Sequence, residues 1–267
     1  MAEVFGGLTL AEAADENFVV HVSFVPARVA GMHVRADAEL VVADSGLACD
    51  TFNFVCRARL VAESAAARVR EAIDYFRHAG RPFSWWVGPA DRPAELGQLL
   101  AEAGLATAET ELAMAADLST LPEDVRSPDG LHIRRVRTAS ELRDFARLSA
   151  ANWSPPDHHI LRFYELAASA LLAPGAPQWL YVGYLDGEPV ATAELTVGGG
   201  VVGLYNISTQ ATYRRRGIGT ALTLQPLSDA LAAGYRTGVL QAAADAVGVY
   251  RRVGFEPFGD ITEYKPG

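Results

Sequence analysis

Hydrophobic and polar residues in the second half of the chain follow two alternating periodicities. Short stretches with a period of two indicate strands, and longer stretches with apolar residues every three or four positions indicate helices. The predicted elements are a strand at 131–136, helices at 139–153 and 159–172, strands at 179–185, 190–197 and 201–209, a helix at 214–233, a strand at 237–241, a helix at 245–253 and a strand at 256–264. This order predicts an α/β layered fold with a mixed sheet flanked by helices.

A polar segment divides the chain into two parts of similar length. Residues 118–130 combine two prolines, a glycine and several charges between apolar stretches, which is typical of a linker. We therefore predict two domains, 1–118 and 131–267, joined by a linker at 119–130.

The first half has helix-ending glycines at positions that resemble those of the second half. Gly80 and Gly104 each follow a predicted helix, as Gly234 and Gly254 do at offsets of 154 and 150 positions. We interpret this similarity as a tandem duplication whose copies have diverged. The alternative is two unrelated α/β segments that share common helix-ending residues.

Composition and charge exclude several classes of partner. Half of the 267 residues are hydrophobic, and 23 basic against 32 acidic residues give a formal net charge of −9. Such a chain has no overall attraction to nucleic acid or anionic membranes, and we expect neither as a partner. Cys49 and Cys56 provide neither a disulfide framework nor a zinc spacing. With no signal pattern and no uninterrupted apolar span, the sequence predicts a cytoplasmic protein without a metal.

The segment ISTQATYRRRGIGTAL, residues 207–222, carries the most informative chemistry. Arginines at a helix N-terminus face the positive end of the helix dipole, and each glycine in a first turn costs about 1 kcal/mol relative to alanine. A bound anion would explain both unfavourable features of this helix start. Glycines let backbone N–H groups approach phosphate oxygens, and arginines supply countercharge. The segment therefore predicts a diphosphate site; the alternative is a solvated basic helix end.

Two motifs resemble those of one enzyme superfamily. Arg214-x-x-Gly217-x-Gly219 resembles the pyrophosphate loop of the GNAT acetyltransferases, and AVGVYRRVGF at 246–255 resembles their Ala-x-x-x-Tyr-x-x-x-Gly-Phe helix. The resemblance covers about 131–264 and, more weakly, the first half as a degenerate copy. It implies two GNAT-like domains in tandem, acetyl-CoA as co-substrate, and acetyl transfer to a primary amine of a small molecule.

The resemblance also implies roles for individual residues. Backbone groups at the end of strand 201–209 would line the pantetheine arm, the loop would hold the pyrophosphate, and Tyr250 would protonate the departing thiolate as a general acid. The alternative for Tyr250 is a half-buried helix residue with its hydroxyl at the surface. The implied coenzyme-binding residues are Ile207, Ser208, Thr209, Arg214, Arg215, Arg216, Gly217, Ile218, Gly219 and Thr220.

The sequence offers candidates for the general base and for the acceptor pocket. Strand 201–209 has no carboxylate, so Glu194 on the neighbouring strand is the candidate base; its alternative is an ordinary surface residue. His158 or His159, in the loop between the first two helices, could also serve as base near neutral pH; the alternative is an ordinary solvent-exposed loop histidine. The candidate acceptor-binding residues are Trp153, Asp157, His158 and Tyr205.

A non-catalytic function stays open beside the enzyme. Ala243 stands where the superfamily often has an asparagine, and with the missing strand carboxylate this favours an acyl-CoA-binding sensor or regulatory module. The matching segment of the first half, 54–65, has no glycine, so we expect one active site, in the second half. The first half would support that site, cover the acceptor cleft or mediate a homodimer.

Overall fold

The computed structural model describes residues 5–122 and 127–267, so residues 123–126 of the predicted linker lie outside the described residues. The first half contains α1 (Leu10–Ser23), β1 (His33–Ala36), β2 (Val41–Asp44), β3 (Asn53–Cys56), α2 (Ala62–Ala79), β4 (Ser84–Val87), α3 (Leu96–Glu102) and β5 (Leu105–Asp117). The second half contains β6 (Leu131–Arg135), α4 (Ala139–Ala150), α5 (His158–Leu171), β7 (Gln178–Leu185), β8 (Glu188–Gly198), β9 (Val201–Thr209), α6 (Ile218–Ala232), β10 (Thr237–Ala242), α7 (Val247–Arg252) and β11 (Glu256–Pro266).

The two halves share one order of elements. From α1 and from α5 onwards, each runs helix, three strands, helix, strand, helix, strand, and the second half adds β6 and α4 in front. In both, the third and fourth strands of this series are parallel neighbours, β3 with β4 and β9 with β10. This shared order supports the duplication; a degenerate GNAT copy in the first half stays a prediction.

The predicted strands and helices of the second half are all present, with shifted ends. The largest shift concerns the helix predicted to begin at residue 214, which begins at Ile218. Arg215 and Gly217 have φ angles of 60° and 82°, which a right-handed helix does not allow, so the arginines lie in the loop before the helix. Likewise α4 ends at Ala150, three residues before its predicted end at Trp153.

One continuous sheet joins the two halves. Its order is β1-β2-β3-β4-β11-β5-β10-β9-β8-β7-β6. The last strand of each half lies beside strands of the other: β11 pairs antiparallel with β4 and β5, and β5 pairs antiparallel with β10. The halves thus exchange their last strands, an arrangement that the prediction of two consecutive domains did not include.

The sheet opens beside β9. The parallel pairing of β9 with β10 covers only residues 202–204 and 238–240, although β9 continues to Thr209. A register shift between Thr192 and Glu194 in β8, with a φ of 51° at Asn206, bends β9 at this point. The two strands therefore diverge and leave one edge of β9 unpaired.

Helix α1 of the first half packs on β8 and β9 of the second half. Its buried Asn17 places Nδ2 2.9 Å from the carbonyl oxygen of Thr196 and 3.2 Å from that of Val201. Asn17 Oδ1 accepts a hydrogen bond of 2.9 Å from the Tyr205 hydroxyl. These bonds fix α1 against the open part of the sheet. Within the described residues, no helix is both long and apolar enough to cross a membrane.

Candidate active site

A cavity of about 580 Å³ lies where β9 and β10 diverge, and both halves line it. Phe18 and Trp86 come from the first half, whereas Ile207, Ser208 and Tyr250 come from the second. Its volume is within the range of sites that enclose small molecules.

The arginine–glycine loop leads into α6 with its backbone donors free. Gly217 is the N-cap and no side chain caps the helix. The first helical hydrogen bond runs from the Ala221 amide to the Gly217 carbonyl at 3.1 Å, so the amides of residues 218–220 have no partner within the helix. A Cβ added at Gly219 would meet only Thr209 Oγ1, at 3.9 Å, among the described atoms. The loop thus forms an open cradle suited to phosphate oxygens.

The three arginines are exposed, and none forms an ion pair with a carboxylate of the described residues. Arg214 Nε donates to the Thr209 carbonyl at 3.0 Å, and Arg216 Nη2 donates to the Thr212 carbonyl at 3.2 Å. The Ile218 side chain is buried in the core, so this residue offers only its amide to a ligand. The loop therefore presents uncompensated positive charge beside free amides.

Tyr250 lies on α7 and lines the cavity, with its ring against Phe255 at 6.0 Å between centroids. Burial, together with the negative charges of Glu111 and Asp245, raises the pKa of Tyr250 to about 12. The phenol therefore keeps its proton at neutral pH and can act as a donor. The unpaired edge of β9 brings Ile207 and Ser208 to the same cavity, and Thr209 ends that strand below the loop.

Glu194 is not the surface residue that one interpretation expected: its side chain is buried on β8 and lines the cavity. Its Oε1 lies 2.7 Å from His21 Nδ1 and accepts from Gln178 Nε2 at 3.0 Å. Oε1 also accepts from Thr196 Oγ1 at 2.9 Å, and Oε2 accepts from Asn206 Nδ2 at 2.9 Å. Burial alone would raise the pKa of Glu194, but the positive charge that His21 carries whenever it is protonated, together with these hydrogen bonds, lowers it overall.

His21 is a cavity residue that the sequence analysis missed. It belongs to the last turn of α1, and its ring stacks on Tyr205 with centroids 3.9 Å apart and an interplanar angle of 8°. The stretch around it reads as an ordinary half-buried helix, and 173 positions separate it from Glu194. No local pattern could have joined these two residues.

The candidate acceptor-binding residues divide into two groups. Trp153 and Tyr205 line the cavity. Asp157 and His158 do not line it, and an acceptor-binding role for these two residues stays a prediction. Asp157 Oδ1 instead caps α5 by accepting from the His159 amide at 2.8 Å, and His158 is exposed with its ring 4.0 Å from that of His159. One ligand atom from each of these three neighbours lies within 4.8 Å of the others. The expectation of no metal stays a prediction.

The exchanged strands bring further charged residues that the sequence analysis did not single out. Lys265 Nζ on β11 lies 2.9 Å from Asp50 and 3.2 Å from Glu263. The side chain of Glu111 on β5 has no hydrogen-bond or salt-bridge partner among the described residues. Burial, with the charges of Glu109 and Glu263, raises the pKa of Glu111 to about 7. The cavity thus contains one carboxylate without a counterion.

Several solved structures share the fold of this chain. A GCN5-related N-acetyltransferase from Kribbella flavida is 20% identical, with a TM-score of 0.72 over 97% of this chain and 96% of that one. One from Sphaerobacter thermophilus is 16% identical, with a TM-score of 0.62 over 86% and 76%. A tandem GNAT protein from the clavulanic acid biosynthesis pathway is 14% identical, with a TM-score of 0.61 over 96% and 94%. The chain therefore has the tandem GNAT fold.

The match to a protein family lies mainly in the second half of the chain. Residues 123–245 match the family model described as the acetyltransferase (GNAT) domain. This match confirms the family predicted from the loop, although Tyr250 lies beyond its end. No curated protein matches the chain.

Proposed function

We propose that this protein transfers the acetyl group of acetyl-CoA directly to a primary amine of a small molecule. The observation that carries the proposal is the cavity where β9 and β10 diverge, which both Tyr250 and the buried Glu194 line. Acetyl-CoA would supply the thioester, and the free edge of β9 would receive its pantetheine arm. The open cradle of α6 lies at the end of the same strand.

The residues of the loop fit a diphosphate. The amides of 218–220 would donate to its oxygens, and the side chains of Arg214, Arg215 and Arg216 would supply countercharge. Thr220 stands in the first turn of α6 and would contribute through its backbone. Because Gly219 has no side chain, nothing on it would keep phosphate away from these amides.

Charge favours a cationic acceptor. The cavity is lined by the carboxylates of Asp50, Glu111, Glu194 and Glu263 and by a single lysine, Lys265, among the described lining residues. An amine enters such a site as an ammonium ion and must lose a proton before it can attack the thioester. The new N–C bond then forms as the C–S bond breaks, and Tyr250 donates its proton to the departing sulfur.

The proposed function can be tested by measuring coenzyme A binding and acetyl transfer separately. Calorimetry with coenzyme A measures binding, and thiol release from acetyl-CoA with a panel of cationic and neutral amines measures transfer. We expect binding, and turnover that is faster with cationic amines. Binding without thiol release from any amine would favour the acyl-CoA-binding sensor instead, and no binding would refute both functions.

A variant of the cradle sharpens the test. Gly219→Val would place an isopropyl group where the phosphate is expected, and we expect coenzyme A to bind at least about tenfold more weakly, a change of about 1.4 kcal/mol. Ala232→Val adds a β-branched residue at the exposed far end of the same helix and serves as the control. Equal affinities for the two variants would contradict the placement of the phosphates.

A further inference from the structure

The half-buried His21 and the buried Glu194 form a pair whose proton arrangement can be deduced. The other side chains that contact Glu194 are donors: Gln178 Nε2, Thr196 Oγ1 and Asn206 Nδ2. A carboxylate at 2.7 Å from His21 Nδ1 requires a proton on that nitrogen as well. In the neutral ring, Nε2 then carries the lone pair.

The ring is also held in one orientation. Tyr205 stacks on it at 3.9 Å between centroids, and the Tyr205 hydroxyl is itself fixed by Asn17. Gln178 Nε2 donates to the His21 carbonyl at 2.8 Å as well as to Glu194. His21 Nε2 has no hydrogen-bond partner within 5–122 and 127–267, and His21 lines the cavity.

We propose that His21 is the general base of this acetyltransferase and that Glu194 is a positioning residue which holds it. This inference rests on the proposed function. Nε2 takes a proton from the acceptor ammonium, and the freed amine attacks the thioester carbon. The N–C bond forms, the C–S bond breaks, a second proton leaves the nitrogen for solvent, and Tyr250 protonates the sulfur. His21 and Tyr250 then return to their starting forms by proton exchange with solvent.

Glu194 is poorly suited to be the base itself. Both of its oxygens already accept hydrogen bonds, three at Oε1 and one at Oε2, and these bonds make it a weak proton acceptor. The same carboxylate stabilises the imidazolium that forms when His21 takes a proton. Its function is therefore to fix the tautomer and to favour the charged ring.

Other titratable groups near His21 come from several elements and enter any pH profile. Glu111 is the competing base, because it lines the same cavity and its pKa is raised to about 7. The titratable and charged groups that face the pair or share its cavity are Glu194 on β8, Tyr205 on β9, Tyr164 on α5, Glu111 on β5, Tyr250 on α7, Asp50, and Glu263 and Lys265 on β11.

The decisive variant is His21→Asn, which keeps a side-chain donor for Glu194 but removes Nε2. With the amine identified by thiol release, we expect kcat to fall about 100-fold or more. The affinity for coenzyme A and the Tm should stay close to those of the wild type. The control is His33→Asn, because His33 is exposed on β1 and does not line the cavity. A His21→Asn enzyme with kcat within threefold of the wild type would refute the proposal.

Two further measurements distinguish a base from a structural residue. Nitrogen NMR of the protein without ligand should show neutral His21 protonated on Nδ1; protonation on Nε2 would overturn the proposal. In Glu194→Gln, the imidazolium loses the negative charge that stabilises it, so the acidic limb of the kcat profile should move to lower pH. An unmoved limb in a folded variant would refute the positioning role.

The outcomes separate this inference from the proposed function. No turnover by the wild type with any amine would refute the acetyltransferase proposal and the base with it. Turnover by the wild type that survives in His21→Asn would refute only the base.

Discussion

Replacing Glu111 tests the electrostatics of the cavity most directly. This carboxylate has no partner among the described residues, and its surroundings raise its pKa from 4.5 to about 7. The folded protein therefore binds this proton more tightly than the unfolded chain does. The stabilising effect is fully present below pH 4.5 and is lost as the pH rises through about 7.

The free-energy cost of ionising Glu111 follows from the difference between these two pKa values. At 1.36 kcal/mol for each pKa unit, the charged form costs about 3 kcal/mol of folding free energy above pH 7. The side chain is only half-buried, so screening by solvent reduces this cost to about 1–2 kcal/mol. Glu111→Gln removes the charge at nearly constant volume. We expect the variant to be more stable than the wild type by this amount at pH 8.5 and equally stable at pH 4.

Thermal and urea unfolding at the two pH values measure the difference. A gain of about 1–2 kcal/mol corresponds to a rise in Tm of about 2–8 °C for a chain of this size. Glu256→Gln, on the exposed start of β11 and away from the cavity, is the matched control and should change stability at neither pH. A gain that is the same at both pH values, or no gain at pH 8.5, would refute the reasoning about Glu111.

The negative charge of Glu111 should also contribute to binding of a cationic acceptor. An ammonium group bound beside Glu111 would replace the missing counterion, so the cost to folding becomes a gain in substrate binding. Glu111→Gln should then raise KM for cationic acceptors about tenfold, which corresponds to about 1.4 kcal/mol. An unchanged KM would show that the acceptor does not contact this carboxylate.

Three further changes test other parts of the structure. Tyr250→Phe should lower kcat in the thiol-release assay about 100-fold with little change in coenzyme A affinity by calorimetry; an unchanged kcat would mean that Tyr250 does not protonate the thiolate. Asn17→Ala should lower the free energy of unfolding, measured in urea, by about 2–4 kcal/mol, because it leaves buried carbonyls and the Tyr205 hydroxyl unpaired; a loss below about 1 kcal/mol would contradict this. A fragment of 131–267 should fail to form a folded monomer in gel filtration and circular dichroism, because β5 supplies the strand between β10 and β11.

The sequence is sufficient for most of the second half, since its elements are local. Periodicity locates each strand and helix, and the arginines and glycines of one short segment predict the family whose model matches residues 123–245. The start of α6 is predicted four residues early because apolar periodicity does not report backbone angles. The positive φ at Arg215 and Gly217 depends on how the loop closes.

The interior of the site depends on contacts that no local pattern contains. Seven consecutive residues of β8, 190–196, are buried, because helices cover both faces of this strand. Without alternation between polar and apolar positions, the direction of the Glu194 side chain could not be predicted. His21 and Glu111 reach the cavity only because α1 packs on β8 and β9 and because β5 is exchanged.

Because the two halves exchange strands, the first half does more than support the site: it also contributes residues to the proposed chemistry. Its segment 54–65 has no glycine, and Val61, the N-cap of α2, offers no side-chain cap, so it lacks the cradle found at α6. Yet it supplies His21 and Glu111 to the cavity. Coenzyme binding would therefore depend on the second half, while proton removal and acceptor charge would depend on the first. If this division is correct, substitutions at His21 and Glu111 should change kcat or acceptor preference and leave coenzyme A affinity intact, whereas Gly219→Val should do the reverse.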